Sequence, residues 1–137
     1  MNYYVPRIYP KNLKNIKFQF KNNNHFGMIN LCCLDQDLIK IKDINSLVTQ
    51  RKRIFIYFPV FDHFYITEFQ SENGFTLKQL IINIRIAGLA AFTYYAILNN
   101  LDPSVHRSAL GEYALTWTPQ QSDIQITNDQ IYISVQH

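Results

Sequence analysis

The stretch that decides the fold is residues 74–98, GFTLKQLIINIRIAGLAAFTYYAIL. Thr76 with Gln79 three positions later forms a capping-box pattern, which marks the start of a helix. Apolar residues then recur at helical spacing, which predicts one long helix over residues 77–99. The other face of this helix is also largely apolar, which is typical of a helix that is buried, embedded in a membrane or in contact with a partner.

Strand patterns lie on both sides of this helix. In residues 53–69, β-branched and aromatic residues dominate and both faces are apolar, as in a central strand covered on each side. Pro59 predicts a break or bulge in this run near the proline, with Asp62-His63 as a candidate site for the break, because proline cannot donate to the sheet ladder. Residues 124–126 and 131–135 alternate around a short link and predict a C-terminal β-hairpin. The sequence therefore predicts an α+β fold, with an antiparallel or mixed β-sheet packed on one long central helix.

The N-terminal third carries weaker patterns. Residues 1–12 hold two prolines and predict an extended N-terminal arm, and residues 16–20 alternate like a half-buried strand. Residues 28–34 predict a second strand, with residues 38–41 returning beside it as a hairpin partner. A short helix is expected over residues 46–50, with Asp43 or Asn45 as its N-cap.

Composition and length indicate one globular domain. The 137 residues are 47% hydrophobic and 17% charged, which excludes a disordered tail because enough apolar side chain is present to offset chain entropy. We expect a single domain over residues 1–137, able to bury a core without disulfides or metal. Cys32 and Cys33 are adjacent, so we expect reduced thiols of an intracellular protein, at least one of them in the core.

Charge is distributed unevenly along the chain. Residues 1–53 hold ten Lys and Arg against three acids, a net charge of +7, whereas the remaining residues carry −4. Many of these cations alternate with aromatic residues, a composition compatible with single-stranded nucleic acid held through phosphates and stacked bases. The candidate nucleic-acid-binding residues are Arg7, Lys11, Lys14, Lys17, Lys21, Arg51, Lys52 and Arg53. The alternative interpretation is a solvated basic face.

Motifs for catalysis and cofactors are sparse. The chain has no Gly-rich phosphate loop, dinucleotide fingerprint or paired-carboxylate motif, so no cofactor is expected. The histidines show no metal-ligand spacing, so no metal is expected either. They are His25, His63, His106 and His137. Asp102, Ser104 and His106 are too close along the chain to converge as a triad and are better explained as loop and capping groups. Cys32 or Cys33 with His63 is a candidate nucleophile–base pair, although a buried, unreactive cysteine is the commoner case. A small hydrolase using His63 or His106 is a third hypothesis, with no catalytic residue assigned.

The long helix also raises the question of a membrane. Leu80–Leu98 are 19 mostly apolar residues, but Arg85 interrupts them, and a central Arg costs about 2.5–3.5 kcal/mol on insertion scales. We therefore expect a core helix with one side facing a protein partner or a second copy. Gly88 and its neighbouring alanines would let another backbone approach closely. The candidate partner-interface residues are Arg85, Gly88, Leu89 and Phe92.

Several short motifs carry a family resemblance. They are Asn73-Gly74-Phe75-Thr76, Leu80, Ile84, Tyr94-Tyr95 and Ile131-Tyr132-Ile133. Within residues 64–137, these motifs resemble small uncharacterised proteins encoded by large, AT-rich DNA viruses of protists. The resemblance implies an intracellular viral product, in the host cytoplasm or the virion, with a binding, structural or host-interaction role. The family has no established activity, so no catalytic residue is carried over.

Excess apolar surface decides between the functional hypotheses. An apolar helix, a strand apolar on both faces and 15% aromatic residues are more than a chain of this length needs for its own core. The leading hypothesis is therefore a non-enzymatic protein–protein interaction or structural module that forms a homo-oligomer. A nucleic-acid-binding protein using the basic N-terminal segment is the first alternative, and a small hydrolase is the second.

Overall fold

The structure is a computed structural model that describes residues 3–22, 27–104 and 113–134. It confirms an α+β fold, in which a large mixed sheet packs against one long helix and further strands follow that helix. The helix, α2, spans Leu77–Leu98, so the prediction from periodicity is correct to within one residue at its end.

Six strands form the main sheet. In spatial order they are β1 (Tyr4–Pro6), β8 (His63–Gln70), β7 (Arg53–Val60), β12 (Gln130–Ile133), β11 (Ile124–Thr127) and β2 (Lys14–Asn15). Neighbouring strands are antiparallel except β7 and β12, which run parallel. The sheet is therefore mixed, and β11 with β12 forms the predicted C-terminal hairpin.

Three two-stranded ladders and a short helix complete the described chain. The ladders pair β3 (Gln19–Phe20) with β5 (Ile41–Lys42), β4 (Gly27–Asn30) with β10 (Ala114–Trp117), and β6 (Leu47–Thr49) with β9 (Phe75–Thr76). The short helix, α1, spans Leu34–Leu38. Strand β9 leads directly into α2, so the β6–β9 ladder holds the start of that helix in place.

Helix α2 begins with the predicted capping box. The Gln79 backbone N–H donates to Thr76 Oγ1 at 3.2 Å, and the Thr76 backbone N–H donates to Gln79 Oε1 at 2.8 Å. Leu80, Ile84 and Ala87 are fully buried on the face that packs against β7. Removing this face from water stabilises the fold by about 25 cal/mol per Å² of apolar surface.

Strand β7 lies inside the sheet and is apolar on both faces, as predicted. Ile54, Ile56 and Phe58 are fully buried on the side of α2. On the opposite side, the rings of Tyr57 and Tyr132 stack with their centroids 4.3 Å apart. Because β8 and β12 flank β7, its backbone pairs on both edges and its side chains are covered on both faces.

The segment after β4 differs from the prediction. It forms α1 rather than the end of a strand, and Leu34 and Leu38, four residues apart, are both buried. The Asp37 carboxylate accepts the Asn30 backbone N–H and lies 3.6 Å from the Lys40 ammonium. These local bonds hold one helical turn that the apolar pattern does not reveal.

A further local prediction is wrong, whereas the predicted break near Pro59 is present. Residues 46–50 do not form a helix, because β6 pairs there with β9, with Leu47 opposite Thr76. That partner is distant in the sequence, so the local pattern carries no sign of it. The run over residues 53–69 breaks one residue after Pro59, because β7 ends at Val60 and the chain turns at Phe61 and Asp62 into β8, while Pro59 itself still pairs with Phe64. It is tolerated there because β12 pairs only with residues 55–57 of β7 and does not extend as far as the proline.

The cysteines also lie elsewhere than expected. Cys32 and Cys33 are both free and both exposed, so the expectation that one of them is in the core is wrong. The chain turns after Leu31, which is fully buried, and both thiols fall in the turn that leads into α1. The leucine therefore takes the core position that the sequence analysis assigned to a cysteine.

Helix α2 is long and apolar enough to cross a membrane by length and composition alone. The core helix of a soluble protein meets the same criterion. Here 44% of the most apolar stretch of α2 is buried within the chain, so packing against the sheet accounts for part of its apolar character.

Candidate functional site

The residues proposed for hydrolysis are on separate elements. His63 begins β8 and its ring stacks on Tyr4 with the centroids 4.1 Å apart, whereas both cysteines are in the turn before α1. Ser104 donates its backbone N–H and its hydroxyl to Asp102 Oδ1, at 3.0 and 2.9 Å, which is loop-capping geometry. His25, His106 and His137 lie outside the described residues. In the part of the chain that the structure describes, no group of three or more His, Cys, Asp or Glu residues is placed to hold a metal ion.

The eight basic residues proposed for nucleic-acid binding are spread over the molecule. Arg7 has a local role, since its Nε donates to Tyr9 Oη at 3.2 Å and its Nη1 donates to the Phe61 carbonyl at 3.3 Å. Arg53 Nε lies 3.7 Å from a Glu68 carboxylate oxygen. Lys11, Lys14, Arg51 and Lys52 are exposed at other places along the chain. The structure brings only Lys17 and Lys21 of this set into a shared concave surface.

That concave surface, here called the basic groove, has a volume of about 1040 Å³. Lys17 and Lys21 lie along it because residues 16–21 alternate between buried and exposed side chains. Lys42, which sequence reasoning missed, joins them because β5 pairs with β3 and places Lys42 opposite Gln19. Asp43 is the one acid among the lining residues. The groove therefore carries a net charge of +2.

Three aromatic rings form the floor of the basic groove. Phe18, Phe20 and Trp117 pack against one another with centroids 5.7 to 5.9 Å apart. A Cβ at Gly27 would lie 1.8 Å from the Phe20 ring, so glycine is the residue that lets this ring lie against β4. The buried Nε1 of Trp117 has no hydrogen-bond acceptor in the described part of the chain. Trp117 comes from β10, and nothing in the surrounding sequence marks it as part of this site.

A second surface, here called the hairpin–helix patch, consists of large apolar side chains left exposed at the end of α2. Its members are Phe61 (61% exposed), Tyr94 (46%), Ile97 (59%), Leu98 (50%) and Leu101 (40%). Tyr94, Ile97 and Leu98 are spaced i, i+3 and i+4, which places them on one side of α2, and Leu101 follows just beyond the end of the helix. Phe61 reaches this surface from the β7–β8 hairpin, with its ring 5.1 Å from that of Tyr95. The patch is thus assembled from two elements.

Phe61 holds an unusual backbone conformation. It is the first residue of the two-residue loop joining β7 and β8 and has a φ of 54°. Asn128 holds the same position in the β11–β12 hairpin, with a φ of 52°. Asparagine tolerates the left-handed region, whereas that region costs most residues about 1–2 kcal/mol. Among the described residues with positive φ, Phe61 alone is bulky and apolar.

The four residues predicted to face a partner divide between the two sides of α2. Gly88 and Phe92 are buried against the chain's own sheet, and the Phe92 ring lies 6.2 Å from that of Phe58. Arg85 and Leu89 are half-buried at the edge of the outward side. The outward side continues through Ile86, which is 45% exposed, towards the hairpin–helix patch. Helical periodicity identified an apolar helix but not which of its sides meets the sheet.

The predicted N-terminal arm lies against the sheet. Its strand β1 pairs with β8, and the Tyr9 hydroxyl donates to the Ile133 carbonyl at 3.0 Å. Tyr9 covers the side of the sheet opposite α2, with its ring edge-on to Phe64 at 5.0 Å. Beneath this cover, burial raises the pKa of Tyr132, and the neighbouring Tyr57 raises it further. Burial also raises the pKa of Tyr57.

These raised pKa values predict a loss of stability at alkaline pH. The neutral phenols of Tyr57 and Tyr132 stabilise the fold below the pKa of an unfolded tyrosine, about 10, and this contribution is lost as pH rises beyond it. We expect the thermal midpoint to fall between about pH 9 and about pH 11, and to fall less in Tyr132→Phe. Tyr3→Phe, at an exposed position, should behave as the unmodified chain. Equal falls of the thermal midpoint in all three proteins would contradict the assignment of this loss to the buried phenol of Tyr132.

No protein-family model matches the chain, and no curated protein or solved structure matches it either. The resemblance to viral proteins therefore stays a prediction. The basic groove and the hairpin–helix patch are the two surfaces from which function can be argued.

Proposed function

We propose that the chain is a non-enzymatic interaction module that self-associates through the hairpin–helix patch. The observation that carries this proposal is Phe61, a large apolar side chain that is 61% exposed in a left-handed backbone conformation. Both its exposure and its conformation destabilise the monomer, and within the chain the ring contacts Tyr95 at 5.1 Å. Burial of the Phe61 ring against a partner offsets the free-energy cost of its exposure and that of its backbone conformation.

The charge distribution favours a second copy as that partner. Residues 86–101 contain no Lys, Arg, His, Asp or Glu, so the helix end carries no formal charge. A two-fold interface brings each residue close to the same residue or its neighbours in the other copy, where charges of one sign would repel. An uncharged apolar surface pairs with itself without that penalty. Self-association of this kind also suits the structural or host-interaction role implied by the viral resemblance.

The first test is sedimentation equilibrium of Ile97→Glu. Near a two-fold axis this change buries two carboxylates against apolar surface. We therefore expect the dissociation constant of the dimer to rise by about 30-fold, which corresponds to a loss of roughly 2 kcal/mol in binding free energy. Ile39→Glu is the matched control, because Ile39 is 71% exposed and lies outside the patch. A chain that stays monomeric at every accessible concentration, or equal effects of the two variants, would refute the proposal.

A second variant separates the interface from the fold. Phe61→Asn puts at this loop position the residue found in the β11–β12 hairpin, so we expect the monomer to gain about 1 kcal/mol in free energy of unfolding. The same change removes the aromatic ring from the patch, so the dimer should weaken. A variant that is both more stable as a monomer and weaker as a dimer is the expected result. Unchanged dimer affinity would show that Phe61 is not part of the interface.

A further inference from the structure

We propose that the basic groove binds single-stranded nucleic acid, with its lysines holding successive phosphates. Lys17, Lys21 and Lys42 all line this groove, and neither of the two ion pairs among the described residues involves any of them. With Asp43 as the one acid in its lining, the groove therefore keeps a net positive charge that no ion pair among the described residues removes. A ligand that supplies several negative charges is the complement of this surface.

The spacing of the lysines favours an extended polyanion over a single ion. Lys17 and Lys21 are exposed on the same side of an alternating segment, which separates their backbones by about 13 Å at 3.3 Å per residue. Lys42 projects from the neighbouring strand, opposite Gln19, at a level between them. The three lysines thus follow one another along the segment that contains β3, with Lys42 between the other two.

The floor of the groove favours nucleic acid over an acidic peptide. Phe18, Phe20 and Trp117 line the floor with apolar ring edges, against which bases can pack while their phosphates face the lysines, whereas the acidic side chains of a peptide carry no apolar group for this floor. These rings pack against one another and are each at least 93% buried, so they present edges rather than open faces. We therefore expect binding that depends on charge and shows little preference for base sequence.

The chain carries its own probe of this site. Trp117 is the single tryptophan of the sequence and lines the groove, so its fluorescence should change when an oligothymidylate binds. Each phosphate that is neutralised on a single strand contributes about −0.7 to the slope of log affinity against log salt concentration. Three such contacts give a total slope of about −2. This slope corresponds to an affinity about 20-fold lower at 200 mM than at 50 mM salt.

Matched variants locate the binding. Replacing Lys17, Lys21 and Lys42 by glutamine should lower oligothymidylate affinity by at least tenfold and abolish the fluorescence change. The control variant replaces Lys11, Lys14 and Lys52, which removes the same charge outside the groove, and should lower affinity by less than threefold. Circular dichroism and thermal melting would confirm that both triple variants remain folded.

Three outcomes would overturn the proposal. Equal losses in the two triple variants would mean that the chain attracts polyanions through its overall charge rather than in the groove. A fluorescence change with polyglutamate but not with the oligothymidylate would assign the groove to an acidic peptide. Saturation by inorganic phosphate alone, with no further response to the oligothymidylate, would identify a site for a single anion.

Discussion

Phe58→Ala is expected to lower the free energy of unfolding by about 3–5 kcal/mol. Phe58 is fully buried between β7 and α2, with its ring 6.2 Å from that of Phe92 and 6.5 Å from that of Tyr113. Truncation leaves a cavity that cannot collapse easily, because β7 is paired with β8 along its whole length and α2 is held at its start by a capping box. Urea denaturation followed by circular dichroism measures the loss.

Phe55→Ala is the matched control for this prediction. Phe55 lies on the same strand but on the opposite face, where it is only half-buried and has the Arg53 guanidinium 5.2 Å from its ring centroid. Its truncation removes contacts without opening an enclosed cavity, so we expect a loss of about 1 kcal/mol. Losses of similar size at the two positions would contradict the packing of α2 on that face of β7.

Gly74→Ala is expected to lower the free energy of unfolding by at least about 2 kcal/mol. Gly74 has a φ of +80°, a conformation that costs most other residues about 1–2 kcal/mol. An alanine Cβ there would also lie 2.4 Å from the Thr49 carbonyl oxygen and 3.0 Å from the Gln50 Cα. Because both of these are backbone atoms, the β6–β9 ladder has to shift to accept the methyl group.

Hydrogen exchange distinguishes this local shift from general destabilisation. In Gly74→Ala, the backbone N–H groups of Leu77 and Lys78, which donate to Ser46 and Ile44, should exchange faster relative to those of β7. Asn73→Ala changes an exposed residue of the same turn and should stay within about 0.5 kcal/mol of the unmodified chain. If Gly74→Ala were equally mild, the close approach of the two backbones would be excluded.

The two proposed surfaces can be tested independently. Leu77, at the start of α2, lines the basic groove, whereas Leu98, at its end, belongs to the hairpin–helix patch. At a rise of about 1.5 Å per residue, the axis of the helix separates Leu77 from Leu98 by about 32 Å. Substitutions this far apart act additively when they share no partner. Variants of the patch should therefore leave oligothymidylate binding per chain unchanged.

Sequence reasoning found the candidate surfaces only in part. Lys17 and Lys21 were identified because alternation along one segment shows which side chains are exposed. Lys42 and Trp117 were missed, because β3–β5 and β4–β10 pairing brings them to the groove from distant positions. Phe61 was missed although it carries a readable signal, a bulky apolar residue at the point where two long strand patterns meet in a tight turn.

The elements that the sequence by itself determined are those whose stabilising contacts lie a few residues apart. The capping box at Thr76 and Gln79 starts α2, and alternation around a short turn makes the β11–β12 hairpin. Only the tertiary structure decided the parallel pairing of β7 with β12, the β6–β9 ladder and the side of α2 that meets the sheet. The physical reason is that these choices depend on partners far apart in the chain. The gain from burying two apolar faces together is not present in either segment alone.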